Sequence, residues 1–185
     1  MKLTAKVREK EKKRDAIRIR REGDIPAVLY TPGKATRLLT VKGDEFAALV
    51  RTIKKDHLST TKICLDVEGK SRDVIVKDIQ YHPTSYQVIH LDFEELLEDV
   101  PVTIPVPVNC TGVMECAGIK LGGYLRQVMR QVKVQCLPKI IPASFDLDVS
   151  QLGILQSLRL SDLKIPEGIR PLANLSEVVV VIVKR

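Results

Sequence analysis

Short apolar runs that alternate with polar residues, cut by glycine or proline every few positions, constrain this chain more than any other feature. Residues 3–8, 25–30, 38–41, 62–67, 73–79 and 86–93 read this way, bounded by Gly33, Gly43, Gly69 and Pro83. Successive side chains leave a strand on opposite faces, so alternation with a period of two marks a half-buried strand. Six short strands predict a closed β-barrel within a mostly β, α+β fold. Between them, Phe46, Leu49, Val50 and Ile53 recur at i, i+3, i+4 and i+7, and Asp44 stands where a helix N-cap would. Such a helix would plug or flank the barrel.

After Phe93 come the acids Glu94, Glu95, Glu98 and Asp99, and then a run with prolines at 101, 105 and 107. This reads as a domain junction, giving one domain over residues 1–94 and another over 95–185. Prolines at alternate positions remove ladder donors, so a strand here is expected at a sheet edge with those positions facing away from its partner. Residues 124–128, 132–137, 145–149, 158–163 and 178–183 are strand-like, punctuated by Gly112, Gly118, Gly122, Gly123, Pro138, Pro142 and Pro166. A second mostly β domain follows from this pattern.

Charge separates the halves. Residues 1–93 hold 20 Lys and Arg against 13 Asp and Glu, a net of +7, whereas residues 94–185 hold 10 against 10. One-sided positive charge concentrates polyanions, and nucleic acid gains most through counterion release. No apolar stretch approaches a membrane span or the core of a signal peptide, so a soluble cytoplasmic protein is expected. Cys64, Cys110, Cys116 and Cys136 form no Cys-x-x-Cys pair, which argues for reduced, mostly buried thiols rather than a zinc ribbon or a disulfide framework. With no Trp, 3 Phe and 4 Tyr, a multi-aromatic stacking platform is not expected. Phosphate-loop, dinucleotide, nucleophile-elbow and His-Glu-x-x-His signatures are missing from the sequence. The expectation is a binding protein with no catalytic residue, metal or cofactor.

The candidate site begins with the basic run Lys10, Lys12, Lys13, Arg14, Arg18, Arg20 and Arg21, opposed only by Glu11 and Asp15. Taken alone, such a run is often just a solvated face. Set between two strands of a basic domain, as a docked loop, it would present its cations together to phosphates, and Arg can bind phosphate or a base edge bidentately. Tyr30, at the end of a strand, fills a barrel rim or stacks on a base or sugar. His90 and Asp92, two apart on the last strand of the first domain, share a face, while Ile89, Leu91 and Phe93 point to the core. His90 can donate to phosphate, base or ribose, and Asp92 can accept from a guanine amino group or a 2′-hydroxyl. A metal reading of His82, His90 and Asp92 lacks the ligands that would complete it.

These residues resemble a known family, the bacterial large-subunit ribosomal protein numbered twenty-five in its long two-domain form, also called the CTC or general-stress-protein family. The resemblance rests on Arg18-Ile19-Arg20-Arg21-Glu22-Gly23-Asp24-Ile25-Pro26-Ala27-Val28-Leu29-Tyr30, on Gln80-Tyr81-His82-Pro83, and on His90-Leu91-Asp92-Phe93. In the second half it rests on Lys120-Leu121-Gly122-Gly123, Val134-Gln135-Cys136-Leu137-Pro138 and Ser161-Asp162-Leu163-Lys164-Ile165-Pro166. It implies a closed barrel that grips the loop E region of 5S ribosomal RNA along its minor groove, among large-subunit proteins, with no catalysis; the sequence carries no oligomer signal, so a monomer docked on RNA is expected. Carried over position by position, it implies RNA contacts at Arg8, Lys13, Arg18, Arg20, Tyr30, His90 and Asp92, and the basic run adds Arg21. Lys12, Lys13, Arg14, Asp15 and Ala16 stand where the family often has small Gly and Ser residues, and Thr31 stands where it usually has Gly. Transfer RNA recognition and a stress-induced, chaperone-like role are the alternatives, and binding to isolated 5S RNA separates them.

Overall fold

The computed structural model describes residues 2–8, 13–54 and 56–184, with Lys13 described by its backbone alone. The chain divides into two units, Met1–Val100 and Pro101–Arg185. Divided there, the first unit holds 20 basic against 17 acidic residues (+3) and the second 10 against 6 (+4), because Glu94, Glu95, Glu98 and Asp99 fall in the first.

In the first unit, strands β1 (Lys2–Val7), β2 (Ile25–Tyr30), β3 (Arg37–Val41), β4 (Ile63–Val67), β5 (Lys70–Tyr81) and β6 (Val88–Glu95) close into a barrel in the order β1-β3-β2-β6-β5-β4. The expected six-stranded barrel is therefore present. Parallel pairing of β1 with β4 closes it, and parallel pairing of β2 with β6 places Val28 beside Asp92 and Tyr30 beside Glu94. Inward positions alternate along each strand, so Leu3, Leu29, Leu39, Leu65, Leu91 and Phe93 are all fully buried.

Two helices join the barrel. Helix α2 (Gly43–Thr52) adds Phe46 and Leu49 to the barrel's buried cluster, and Ile53, just past its end, packs against that cluster. Val50 departs from the expected apolar stripe, being 41% exposed. Asp44 is not the N-cap: Lys42 holds that position without a side-chain cap, and Asp44 lies inside the first turn. The end is tied down by Glu45, whose carboxylate accepts the Thr4 N–H of β1 at 2.9 Å.

Helix α1 (Lys13–Arg21) stands where the basic run was expected as a docked loop; residues 10–12 lie outside the described residues. It escapes an apolar-period reading because Ile19 is its only buried side chain among those described. Charge and capping hold it instead. Asp15 lies in the first turn and Arg18, Arg20 and Arg21 in the last, each sign opposing the helix dipole. At its end Gly23 takes φ +87°. The Gly23 N–H bonds the Arg20 carbonyl at 3.3 Å and the Asp24 N–H bonds the Ile19 carbonyl at 3.1 Å, a Schellman closure that a side chain would strain. The same turn rests on α2, since a methyl group on Gly43 would sit 2.1 Å from the Gly23 carbonyl oxygen.

The second unit holds two sheets. Strands β7 (Val102–Thr111), β9 (Gln131–Cys136), β10 (Phe145–Asp148) and β12 (Arg170–Pro171) form one in the order β10-β7-β9-β12. Strands β8 (Gly123–Gln127), β11 (Ser157–Arg159) and β13 (Val178–Lys184) form the other in the order β11-β13-β8, and a short helix α3 (Ala117–Lys120) precedes β8. The proline-bearing strand is thus interior, not the edge strand expected. It tolerates its prolines because Val108 donates to Arg130 at 2.9 Å, so donors of even-numbered residues face β9 while Pro105 and Pro107 face away. On that other side, β10 pairs only from Val108 onward. The strand expected over 158–163 ends at Arg159 and turns at Leu160–Asp162, where the Asp162 carboxylate takes the Arg159 N–H at 2.8 Å.

Candidate nucleic-acid interface

Strand β6 sets the centre of the site. Leu91, Phe93 and Glu95 are buried inward, leaving His90, Asp92 and Glu94 on the outer face. His90 Nδ1 lies 2.7 Å from Asp92 Oδ1, with about a fifth of each side chain exposed (20% and 21%). The two atoms are buried but lie off the line of a formed hydrogen bond. Tyr30 reaches the same carboxylate from β2, its hydroxyl donating to Asp92 Oδ2 at 3.4 Å. Burial, and then the Asp92 charge, push the Tyr30 phenol above its ordinary pKa, so it remains a hydroxyl donor. Tyr30 is 39% exposed, open to a stacking partner.

Across β5, the register places Gln80 opposite His90 and Asp78 opposite Asp92. On the other side, Arg8 follows β1, its N–H donating to Leu38 of β3 at 3.0 Å, and Leu38 pairs with Val28 of β2, beside Asp92. Arg8 is half-buried, and its Nε is shielded from solvent with no protein partner. A shielded guanidinium nitrogen left unpaired costs free energy. Lys77 at a β-bulge pairs with Glu94 at 2.9 Å.

Helix α1 meets this face through Arg20, whose Nε donates to the Ile89 carbonyl of β6 at 2.9 Å. Arg14, Arg18 and Arg21 then recur at i, i+4 and i+7, one exposed line along the helix. Among the described residues the ion pairs of Arg18, with Asp15 and Glu22, are 3.9 Å long, so they hold it weakly.

Arg20, Tyr30, His90 and Asp92 are therefore brought together, Arg8 lies two strands beyond Tyr30 at the end of β1, and Arg18 and Arg21 extend the cationic line. Lys13 lies in α1, its side chain outside the described residues, as are Lys10 and Lys12. Sequence reasoning missed Gln80 and the line through Arg14. Counting back across the hairpin from His90 points to Gln80, and reading the basic run at helical spacing points to Arg14. The three residues of the metal reading are not brought together. His82 is engaged in its own turn with Thr84 at 3.1 Å and Ser85 at 3.3 Å, and no group of three metal-binding side chains occurs among the described residues.

These features define a two-unit β protein whose leading barrel presents an arginine helix beside a Tyr-Asp-His face. The family described as Ribosomal L25p matches residues 3–93, and the one described as Ribosomal protein TL5, C-terminal domain, matches residues 101–185. Proteins named large ribosomal subunit protein bL25 are 45% identical in Chlamydia muridarum (strain MoPn / Nigg), 46% in Chlamydia trachomatis serovar L2 and 44% in Chlamydia pneumoniae. Each match covers 100% of both chains. The chain belongs to the bL25 family of large-subunit ribosomal proteins; it is a structural component of the ribosome and not an enzyme. Among the described residues no helix is long and apolar enough to cross a membrane.

Proposed function

We propose that the first unit binds 5S ribosomal RNA in its loop E region, inside the cytoplasmic ribosome, as a single copy with no cofactor. The observation that carries this reading is the Arg20–Ile89 bond, which brings an arginine line and a hydrogen-bonding face to one side of the barrel. Arg18 and Arg21, with Lys13 and Arg8, neutralise phosphates. Arg20 is held by β6 and offers its remaining guanidinium donors to the RNA. Tyr30 stacks on a base or sugar while Asp92 accepts from a guanine amino group or a 2′-hydroxyl, and His90 donates beside it. A shallow, wide RNA minor groove suits such a flat face, because its edges and 2′-hydroxyls are accessible there.

Hydroxyl-radical footprinting of 5S RNA with the full chain tests this reading. A protected tract confined to loop E, lost in an Arg20→Ala, His90→Ala, Asp92→Ala variant that remains folded, is expected. Diffuse protection unchanged in the variant contradicts it.

A further inference from the structure

The three-stranded sheet of the second unit buries Val180 and Ile182 on one face. Its other face carries Tyr124 and Arg126 of β8, Val181 and Val183 of β13 and Ser157 of β11, and Val128 continues the alternation just beyond β8. The register makes rows: Arg126, Val181 and Ser157 form one, and Tyr124 faces Val183 in the next. At the β11 edge a bulge sets Leu155 and Gln156 against Ile182: the Leu155 N–H donates to the Ile182 carbonyl at 2.9 Å, and the Ile182 N–H donates to the Gln156 carbonyl at 3.0 Å.

Three observations mark this face. Tyr124 is 50% exposed, Val128 55% and Leu155 74%, while Val181 and Val183 are half-buried, so this side of the sheet and its β11 edge leave apolar surface in water. Leu155 holds that exposed position at φ +64°, a left-handed conformation unfavourable for a branched side chain, and it gains no burial in return. The charge is one-sided, with Arg126 at the β8 end of the first row. No Asp or Glu stands at the outward positions named, and neither Arg126 nor Arg159 lies in ion-pair reach of a carboxylate among the described residues.

RNA phosphates would neutralise Arg126 but leave Val128, Leu155, Val181 and Val183 without apolar cover. A peptide segment that sets a carboxylate among aliphatic side chains satisfies both needs, and Tyr and Arg are the residue types that anchor such contacts. We propose that this face docks another protein of the large subunit through an acidic segment bearing aliphatic side chains. The inference rests on membership of the large subunit and is independent of where the first unit binds RNA.

The test places a benzophenone amino acid at Val128, and separately at Leu155, in the full chain. Each chain is bound to large-subunit particles lacking the native copy and irradiated, and its adducts are identified by mass spectrometry. The expected adduct is a ribosomal-protein segment containing Asp or Glu, with Arg126→Glu lowering its yield per bound chain at least tenfold. The Arg20→Ala, His90→Ala, Asp92→Ala variant lowers occupancy but not yield per bound chain. Leu155→Gly, which relieves the left-handed backbone, is expected to raise the chain's own stability and still to shorten its retention on the particle. Adducts to ribosomal RNA alone, no adduct from a bound chain, or unchanged retention of Leu155→Gly would each overturn the proposal.

Discussion

Arg20 of α1 donates from Nε to the carbonyl of Ile89 on β6 at 2.9 Å, joining residues 69 positions apart. The bond fixes the helix beside His90, so the cationic line and the hydrogen-bonding strand act as one surface. Arg20→Ala removes the tether and a charge; Arg20→Lys keeps the charge and loses the planar fork. Both are expected to weaken 5S RNA binding by about 1–3 kcal/mol, roughly 5- to 150-fold, with little change in Tm because the bond is exposed. Filter binding and thermal melting check the two halves of this statement.

Arg14, Arg18 and Arg21 form the exposed line of α1. Each Ala substitution is expected to reduce the slope of log affinity against log salt by about 0.7–0.9, the change for one lost phosphate contact. Discrimination between RNAs should stay unchanged, since phosphate contacts position and do not specify. Titration from low to moderate salt with each variant measures both quantities.

Gly43 and Gly23 touch across the α1–β2 turn, where a Cβ on Gly43 would lie 2.1 Å from a backbone oxygen. Gly43→Ala is expected to cost about 1–3 kcal/mol, the usual range for overpacking, and to shift α1. Urea denaturation reads the first effect, and a weaker 5S RNA affinity in the still-folded variant reads the second.

Glu95 is buried at the inner end of β6, where Thr31 donates to it at 2.5 Å and Arg72 pairs with it at 2.6 Å. Burial acts most strongly, pushing its carboxyl up, but the Thr31 and Arg72 hydrogen bonds and the Arg72 and Lys34 charges together outweigh it and leave the pKa below the ordinary value. A depressed folded pKa means stability that is present above the unfolded value of 4.5 and lost as pH falls through the folded one. Thr31→Gly, which removes the hydroxyl donor to Glu95, is expected to cost about 1–3 kcal/mol at neutral pH and to move the acid transition upward. Denaturant melts between pH 7 and pH 3 measure it.

The barrel was legible because Leu91 and Phe93, like Leu3 and Ala5, alternate with polar neighbours between clear turn residues. Helix α1 was not, because a helix held by charge and caps with only Ile19 inward leaves no apolar period to read. Glu94 and Glu95 misled in another way. As acids after an apolar run they read as a linker, but both belong to β6, and Glu95 is buried because Arg72, distant in sequence, reaches it. Of the candidate site, the shared face of His90 and Asp92 and the place of Tyr30 at a strand end were legible from strand parity. Gln80 required the β5–β6 register, and Arg14 required knowing that its run is helical.

The most direct test of the central claim is a salt titration of the full chain binding 5S ribosomal RNA against transfer RNA of similar length, alongside the Arg20→Ala, His90→Ala, Asp92→Ala variant. The account predicts that 5S RNA binds at least tenfold more tightly at physiological salt. The variant should lose that preference and keep a weak, salt-sensitive affinity. Equal binding of the two RNAs by the intact chain, unchanged in the variant, would show the arginine line to be a general polyanion patch and would contradict the account.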